Sequence, residues 1–494
     1  MMNYYIGIDL GTSALKLLLT DERKNVIKSV TRSYGVSYPR PGWSEQNPED
    51  WWEAVCSGIK ELLADIDFVG VKGIAAAGQM HGLVIVDKDD RVIRPAILWN
   101  DGRTGEETDY LNDVIGKDKL SKYTANIAFA GFTAPKLLWM AKNEKERFQK
   151  ISKIMLPKDY INYRLTGVHC TDYSDASGML LLDVEHKCWS DEMIEICGIR
   201  MDMLPELFES YDKVGTVLPD IADDLGLPQG VSVAAGAGDN AAAAIGTSTV
   251  GNGRCNISLG TSGTVFIASD KFCVDSTNAL HAFCHSDGGY HLMGCILSAA
   301  SCNMWFCENV LKVADYSAVQ AEIDEADLGV GDIFFLPYLM GERSPINDID
   351  ATGMFIGLRP DTTRSDMLLA VLEGVAFAVR DNVEIAKKLG INISGSTVCG
   401  GGAKSPLWMK ILANVLDIEL YIPMVEEGPG LGAAELAMVA SGEYGSLVEI
   451  AGVEIRETII PDRALVDKYN KKYKKFKKIY PAVKSIFKQL KECD

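Results

Sequence analysis

The 494-residue protein lacks an excess of basic charge: 49 Lys and Arg stand against 68 Asp and Glu, for a net charge of −19. Nucleic acids and anionic membranes bind proteins through clustered positive charge. This balance therefore argues against either as a general partner, and we expect no nucleic-acid and no membrane partner. It leaves room for a phosphorylated small ligand, which a few residues bind locally.

The sequence also lacks a cysteine framework and a long apolar run. Its 12 cysteines include no Cys-x-x-Cys pair, and the closest two, Cys302 and Cys307, have no zinc pattern around them. No apolar run is long enough to span a bilayer, and no basic and apolar leader precedes the strand pattern that begins at Tyr4. We expect reduced thiols and a cytoplasmic enzyme.

An internal repeat is the most informative feature that is present. The segment Ile6-Gly-Ile-Asp-Leu-Gly-Thr-Ser13 returns 249 positions later as Asn256-Ile-Ser-Leu-Gly-Thr-Ser262. Each copy leads from an apolar strand through a turn of small residues into a second apolar strand. The repeat predicts two similar halves, which we place at residues 1–246 and 247–494.

The two copies differ at one chemically important position, where the first has Asp9 and the second has Ser258. A Gly-Thr-Ser turn offers backbone N–H groups and hydroxyls to phosphate oxygens, and a carboxylate beside it requires a divalent cation in between. Two ordinary hairpins with small turn residues are the alternative, but the presence of the same turn in both copies favours phosphate binding. The candidate residues are Thr12, Gly260, Thr261 and Ser262 for phosphate and Asp9 for the metal.

Strand and helix patterns alternate along the sequence, which indicates mixed α/β layers. Strands are predicted at 4–10, 16–19, 26–31, 71–77, 231–235, 265–268 and 396–399. Helices are predicted from Pro48 to about Leu63, over Arg364–Lys388 and over Pro406–Leu416.

Asp239 lies in Gly238-Asp-Asn240, where a predicted strand ends and an alanine-rich helix begins. Such an Asp is often a helix N-cap. Alternatively it is a general base, because α/β proteins place ligands at the carboxyl ends of strands and phosphoryl transfer to an alcohol needs a proton acceptor. The motif alone leaves both interpretations open.

Three further segments place polar or glycine residues after strands. Gly401 and Gly402 would let a nucleoside or phosphate approach the backbone. Gln79, Met80 and His81 lie between two glycines and could contact sugar hydroxyls and carbons, although a lone His is usually structural. Asp101 either contacts substrate or pairs with Arg103.

The carboxyl-terminal segment departs from the acidic composition, with ten lysines in residues 466–491. Its apolar residues recur at helical spacing. A helix docked by its apolar face is one interpretation, and a patch for an anionic partner is the other.

Several of these segments together resemble the FGGY carbohydrate kinases of the actin/hexokinase/Hsp70 superfamily. Two family signatures appear whole, one at 131–143 (GFTAPKLLWMAKN) and one at 353–373, beginning GMFIGL. Further matches to the family's pentulose kinases are GQMHG at 78–82, PAILWNDGR at 95–103, LPKDY at 156–160, GDNAA at 238–242 and PYLMGER at 337–343.

The resemblance implies an α/β fold of two ribonuclease-H-like domains around a central cleft. It implies ATP and Mg²⁺ as cofactors, with Asp239 as catalytic base and Asp9 at the metal. Substrate contacts are implied at Met80 and His81, and we place Gln79, Asn240 and Asp101 with them. Nucleotide contacts are implied at Gly260, Thr261, Gly401 and Gly402, to which we add Thr12 and Ser262.

The expected activity is phosphorylation of D-xylulose to its 5-phosphate in pentose catabolism. The alternatives are a kinase for another ketose or polyol, such as ribulose or glycerol, and a non-sugar ATPase of the same superfamily. Glycerol kinases carry Arg-Glu where this sequence has Met80-His81. The expected partners are therefore a sugar and ATP, and assembly into a homodimer stays open.

Overall fold

The computed structural model describes residues 2–66, 70–424 and 427–491, and its core consists of two seven-stranded sheets. In the first sheet, six strands follow one another in the spatial order 213–216, 232–234, 71–78, 4–10, 14–21 and 26–33, and strand 237–238 also pairs with 71–78. Strands 4–10, 14–21 and 26–33 form an antiparallel meander, while 71–78 runs parallel to 4–10.

The second sheet repeats this plan. Its spatial order is 281–284, 290–296, 263–269, 255–259, 395–399, 419–423 and 455–459. Strand 255–259 pairs antiparallel with 263–269 and parallel with 395–399. Asp9 lies beside Ala77 of its parallel neighbour, as Ser258 lies beside Cys399. The repeat predicted from sequence is therefore a repeat in structure, and the carboxylate and the hydroxyl occupy matching places.

Helices and short strand pairs surround the two sheets. The helices are Pro48–Leu63, Gly105–Asp109, Lys117–Thr124, Thr133–Asn143, Lys145–Phe148, Pro157–Thr166, Tyr173–Ala176, Asp191–Cys197, Pro219–Leu225, Asp239–Gly246, Ala300–Met304, Tyr316–Gln320, Arg364–Lys388, Pro406–Leu416, Gly428–Ala440, Leu447–Ile450, Arg463–Phe476 and Ile479–Lys491. The short pairs are 45–46 with 96–97, 84–86 with 153–155, 170–172 with 206–208, 182–183 with 188–189, and 334–336 with 354–356. None of the helices in the described ranges is both long and apolar enough to cross a membrane.

Three helices have the bounds that the sequence predicts, because each start carries a local signal. Helix Pro48–Leu63 has Pro at its first position and the Asn47 side chain as its cap. Helix Arg364–Lys388 begins with a capping box in which Thr363 and Asp366 bond to each other's backbone N–H groups. Helix Pro406–Leu416 likewise begins with Pro behind a Ser405 cap.

Two helices of small residues, which we call the crossing helices, join the halves: Asp239–Gly246 and Gly428–Ala440. A Cβ at Gly432 would overlap the carbonyl oxygen of Ala242, so the two backbones touch. Gly430 approaches Gly7 of the first sheet in the same way. A helix from the second half of the sequence thus packs on the first sheet, and the division at residue 246 remains a prediction.

The lysine-rich segment docks through its apolar face. It forms two helices, Arg463–Phe476 and Ile479–Lys491, where the sequence had suggested one. Tyr469, Tyr473 and Phe476 are buried, and Lys472 reaches Glu373 at 2.6 Å. The docked-helix interpretation is therefore confirmed for this face.

Candidate functional site

A cavity of about 530 Å³, which we call the cleft cavity, lies between the two halves. Its walls from the first half are Met80, His81, Trp99, Phe129, Gly131, Phe132, Asp239 and Asn240. Its walls from the second half are Ser262, Gly263, Thr264, Met293, Cys295, Ile296, Leu297, Glu342, Arg343, Asn347 and Ile349. Residues far apart in sequence thus line one concave site with both polar and apolar surfaces, as ligand pockets usually have.

Asp239 is the first residue of its crossing helix, and Gly238 occupies the N-cap position. The N-cap interpretation of Asp239 therefore does not hold. Its carboxylate accepts hydrogen bonds from the backbone N–H of Asn240 at 2.7 Å and from the Asn240 amide at 2.9 Å. Burial raises the pKa of the Asp239 carboxyl to about 6, although the two hydrogen bonds oppose this shift. A carboxylate with this pKa can act as a base near neutral pH.

A buried charge cluster holds the backbone just before Asp239. The Gly238 N–H donates to Ser174 Oγ at 3.3 Å, and that hydroxyl donates to Asp172 at 2.5 Å. The ammonium of Lys158 lies 2.9 Å from the other Asp172 oxygen and 2.6 Å from Asp159. All these side chains are buried, so the position of Asp239 depends on an ion cluster beneath it.

Replacing Lys158 with Met should lower the free energy of unfolding by about 3 kcal/mol, because it leaves buried carboxylates without their cation. Lys60→Met is the matched control, since Lys60 pairs with Asp224 on the surface. That control should cost less than about 1 kcal/mol. Urea titration of both variants measures the difference, and equal losses would contradict the assigned role of Lys158.

His81 presents one defined hydrogen-bonding atom to the cleft cavity. Its Nδ1 lies 2.7 Å from the carbonyl oxygen of Gly178, which can only accept, so Nδ1 carries the proton. Burial, together with the positive charges of Lys136 and Arg343, lowers the pKa of His81 to about 3. The imidazole is therefore neutral, and its Nε2 is an acceptor.

The backbone of His81 is held as firmly as its ring. Its φ of +69° lies in the left-handed region, which is uncommon for residues other than glycine. Its carbonyl oxygen accepts hydrogen bonds from Lys136 Nζ at 2.8 Å and Thr133 Oγ1 at 3.1 Å. The first signature segment thus fixes the loop that carries His81.

Two predicted substrate residues do not line the cleft cavity. The amide of Gln79 is buried and bonds to Thr12 Oγ1 at 3.2 Å and to Gln46 at 3.0 Å. Asp101 forms a buried ion pair with Arg103 at 2.7 Å, which is the pairing weighed from the sequence. Both side chains support the loops around the cavity from behind.

A second cavity of about 420 Å³, which we call the turn cavity, opens on the other side of the turn at residues 260–262. Gly260, Thr261, Gly401 and Gly402 line it, and these are four of the residues for which nucleotide contacts are a prediction. Ser262 instead lines the cleft cavity. The two cavities therefore adjoin at this turn, so that a ligand in one could transfer a chemical group to a ligand in the other.

Asp9 lines neither of the two cavities, but its carboxylate is close enough to that of Asp239 for the two negative charges to interact. Burial raises the pKa of the Asp9 carboxyl to about 7, and the negative charges of Asp239 and Glu427 add to the shift. Lys16, opposite Asp9 on the neighbouring strand, lowers it but is already paired with Glu427 at 2.5 Å. Thr12 turns its hydroxyl to Gln79 and to the Trp99 indole.

The sequence did not single out several residues that line the two cavities. Those of the cleft cavity include Phe129, Cys295 and Arg343, and those of the turn cavity include Met304, Tyr316 and Trp408. Only Arg343 lies in a segment that the sequence had marked, PYLMGER. The others fall in stretches that carry no local signal of a site.

Two sheets of the same plan that share a cleft define the actin/hexokinase/Hsp70 fold class, and solved structures of sugar kinases have this fold. Within the cleft, Asp239 and the glycine turn at residues 262–263 line one cavity. The N-terminal domain of the FGGY family of carbohydrate kinases matches residues 4–246, and its C-terminal domain matches residues 255–441. The chain belongs to this family.

Individual relatives agree over nearly the whole sequence. The xylulose kinase of Escherichia coli K12 is 40% identical over 479 residues, which are 96% of this chain and 98% of that protein. The crystal structure of a "xyloylose kinase" from Brucella ovis is 39% identical, with a TM-score of 0.94 over 98% of this chain and 100% of that one. A gluconate kinase from Lactobacillus acidophilus is 25% identical, with a TM-score of 0.93 over 99% and 100%. These relatives favour a sugar kinase over a non-sugar ATPase.

Proposed function

We propose that the protein transfers the γ-phosphoryl group of ATP to the 5-hydroxyl of D-xylulose. The observation that carries the proposal is the placement of Asp239 in a cavity that adjoins the turn cavity across residues 260–262. The names of the E. coli and B. ovis relatives support the choice of sugar. The sugar occupies the cleft cavity, and the nucleotide occupies the turn cavity with its phosphates at the turn.

Asp239 accepts the proton of the attacking hydroxyl. An alcohol attacks the γ-phosphorus only as its proton leaves, so a positioned carboxylate lowers the barrier. The hydrogen bonds from Asn240 fix the carboxylate, and burial gives it the basicity that an exposed Asp lacks. Apolar walls, among them Phe132 and Ile296, exclude water, which would otherwise compete as acceptor.

Asp9 fits a role as the protein ligand of Mg²⁺. No hydrogen bond to its carboxylate is found in the described ranges, and its raised pKa means that a cation would stabilise the ionised form. The described residues contain no group of three or more typical metal ligands. That suits Mg²⁺, which keeps several waters and uses one or two carboxylates plus phosphate oxygens. Bound there, Mg²⁺ would neutralise phosphate charge.

A coupled ADP assay with a panel of D-xylulose, D-ribulose, glycerol and D-gluconate tests the proposal. The expected result is ADP release that D-xylulose stimulates with the highest kcat/KM. A higher value for any other compound would assign the site to that compound instead. Stimulation by none of them would overturn the proposal.

His81→Ala should lower kcat/KM for D-xylulose by about 5- to 150-fold, because a sugar hydroxyl then loses its acceptor at about 1–3 kcal/mol. The slow hydrolysis of ATP without sugar should stay within about threefold, since water needs no sugar-contacting group. His186→Ala is the control, as His186 lies on the surface beside Asp183. An equal fall in both activities would place His81 in the phosphate machinery.

The pH profile of kcat/KM should show one acidic limb, which reports the protonation of Asp239. Because its pKa is raised to about 6, the base is protonated below that pH, and kcat/KM should fall about tenfold per pH unit. Activity is retained above it. The profile is measured at saturating Mg²⁺, and a limb near pH 4 would mean that Asp239 titrates like an exposed carboxyl.

A further inference from the structure

Arg343 lies in the wall of the cleft cavity, and no carboxylate of the described residues pairs with it. Its Nε is buried and has no hydrogen-bond partner, and no ion pair to its guanidinium is found within the described residues. The adjacent carboxylate, Glu342, instead accepts from the backbone N–H groups of Leu297 at 2.9 Å and Arg343 at 2.8 Å. A partly buried guanidinium whose Nε has no partner in the protein is suited to an oxygen acceptor on a ligand.

The guanidinium is also held in place. It lies 4.1 Å from the ring centre of Phe129, over the face of the ring. The main chain at Arg343 is fixed as well. The Asn347 N–H donates to the Arg343 carbonyl at 2.6 Å, and the preceding residue, Glu342, forms two backbone hydrogen bonds with Asp348. A planar donor that is already oriented loses little freedom when a ligand accepts from it.

The chemistry of a 2-pentulose supplies such an acceptor. A 2-pentulose closes its ring through O5, so a molecule that offers O5 for phosphorylation is acyclic and has a free C2 carbonyl. A carbonyl oxygen accepts in the plane of its substituents and has no proton of its own. His81 Nε2 can only accept from a ligand, and Arg343 can only donate to one.

We propose that the Arg343 guanidinium donates to the C2 carbonyl of acyclic D-xylulose while His81 Nε2 accepts from a hydroxyl of the same molecule. This inference rests on the proposed function and extends it, because it makes Arg343 the group that selects ketoses over polyols of the same length. The C2 hydroxyl of xylitol can also accept from Arg343, but it brings an O–H that needs an acceptor of its own at the same position, so xylitol gains little from Arg343 and binds more weakly.

The test compares D-xylulose with xylitol as a competitive inhibitor in four proteins: wild type, Arg343→Met, Arg343→Lys and the control Arg359→Met, whose arginine is exposed. In Arg343→Met, the KM for D-xylulose should rise about 10- to 100-fold, whereas the Ki of xylitol should change by less than about threefold. Arg343→Lys, which keeps one donor, should recover part of the affinity for D-xylulose. Arg359→Met should match the wild type.

If Arg343→Met raised the KM for D-xylulose and the Ki of xylitol by the same factor, the inference would be overturned and the proposed function would stay intact. A lower kcat at unchanged KM would have the same consequence and would assign Arg343 to the transferred phosphoryl group. If the wild type does not phosphorylate D-xylulose, the proposed function fails and the inference fails with it. Sugar-independent ATP hydrolysis checks the fold of each variant, and Arg343→Lys alone decides the question if Arg343→Met does not fold.

Discussion

Asp239→Asn should lower kcat by about 10²- to 10⁴-fold, the range for loss of a general base. The amide keeps the shape of the carboxylate but cannot take the proton of the 5-hydroxyl. Binding of D-xylulose should change little, because the cavity walls remain. Steady-state kinetics and calorimetric titration with the sugar measure the two quantities separately.

The control for this variant is Asp270→Asn, which removes an exposed carboxylate outside the cavity walls. It should have the activity of the wild type. Turnover of Asp239→Asn within a few-fold of wild type would eliminate Asp239 as the base. The remaining activity should also lose the acidic limb near pH 6, since that limb belongs to the Asp239 carboxyl.

Asp9→Asn should lower kcat by about 10²- to 10³-fold at millimolar Mg²⁺, as is typical when one charge-stabilising group is removed from an active site. The apparent affinity for Mg²⁺ should fall as well, while the affinity for D-xylulose should stay close to wild type. The reason is the asymmetry of the repeat: of its two first strands, only the one in the first half carries a carboxylate at this place.

Ser258→Ala provides the matched control, because Ser258 holds the equivalent place in the second sheet. It should leave the dependence on Mg²⁺ unchanged. If Ser258→Ala damaged that dependence more than Asp9→Asn does, the roles assigned to the two halves would have to be exchanged.

Much of the fold follows from local sequence signals. The repeat predicted two similar halves, and the sequence pattern predicted three helices whose starts carry Pro or a capping box in the structure. The packing of helix Gly428–Ala440 on the first sheet could not be predicted in this way. It depends on backbone contacts between glycines that are very far apart in sequence, such as Gly430 and Gly7.

Some features of the candidate site could likewise be predicted from local sequence signals, and others could not. The positions of Asp239, His81 and the glycines of the turn cavity follow from motifs at strand ends, and the structure places them around adjoining cavities. The direction in which each side chain points was harder to predict. Gln79 is two residues from His81, yet it turns into a buried network with Gln46, because satisfying a buried amide decides its direction.

Product analysis tests the central claim most directly. Phosphorus NMR of wild-type enzyme with ATP, Mg²⁺ and D-xylulose should show one phosphomonoester, D-xylulose 5-phosphate, formed in equal amount to ADP. Asp239→Asn should form almost none in the same time. Release of ADP with inorganic phosphate and no sugar ester, or a phosphate on another oxygen, would contradict transfer from the turn cavity to a 5-hydroxyl beside Asp239.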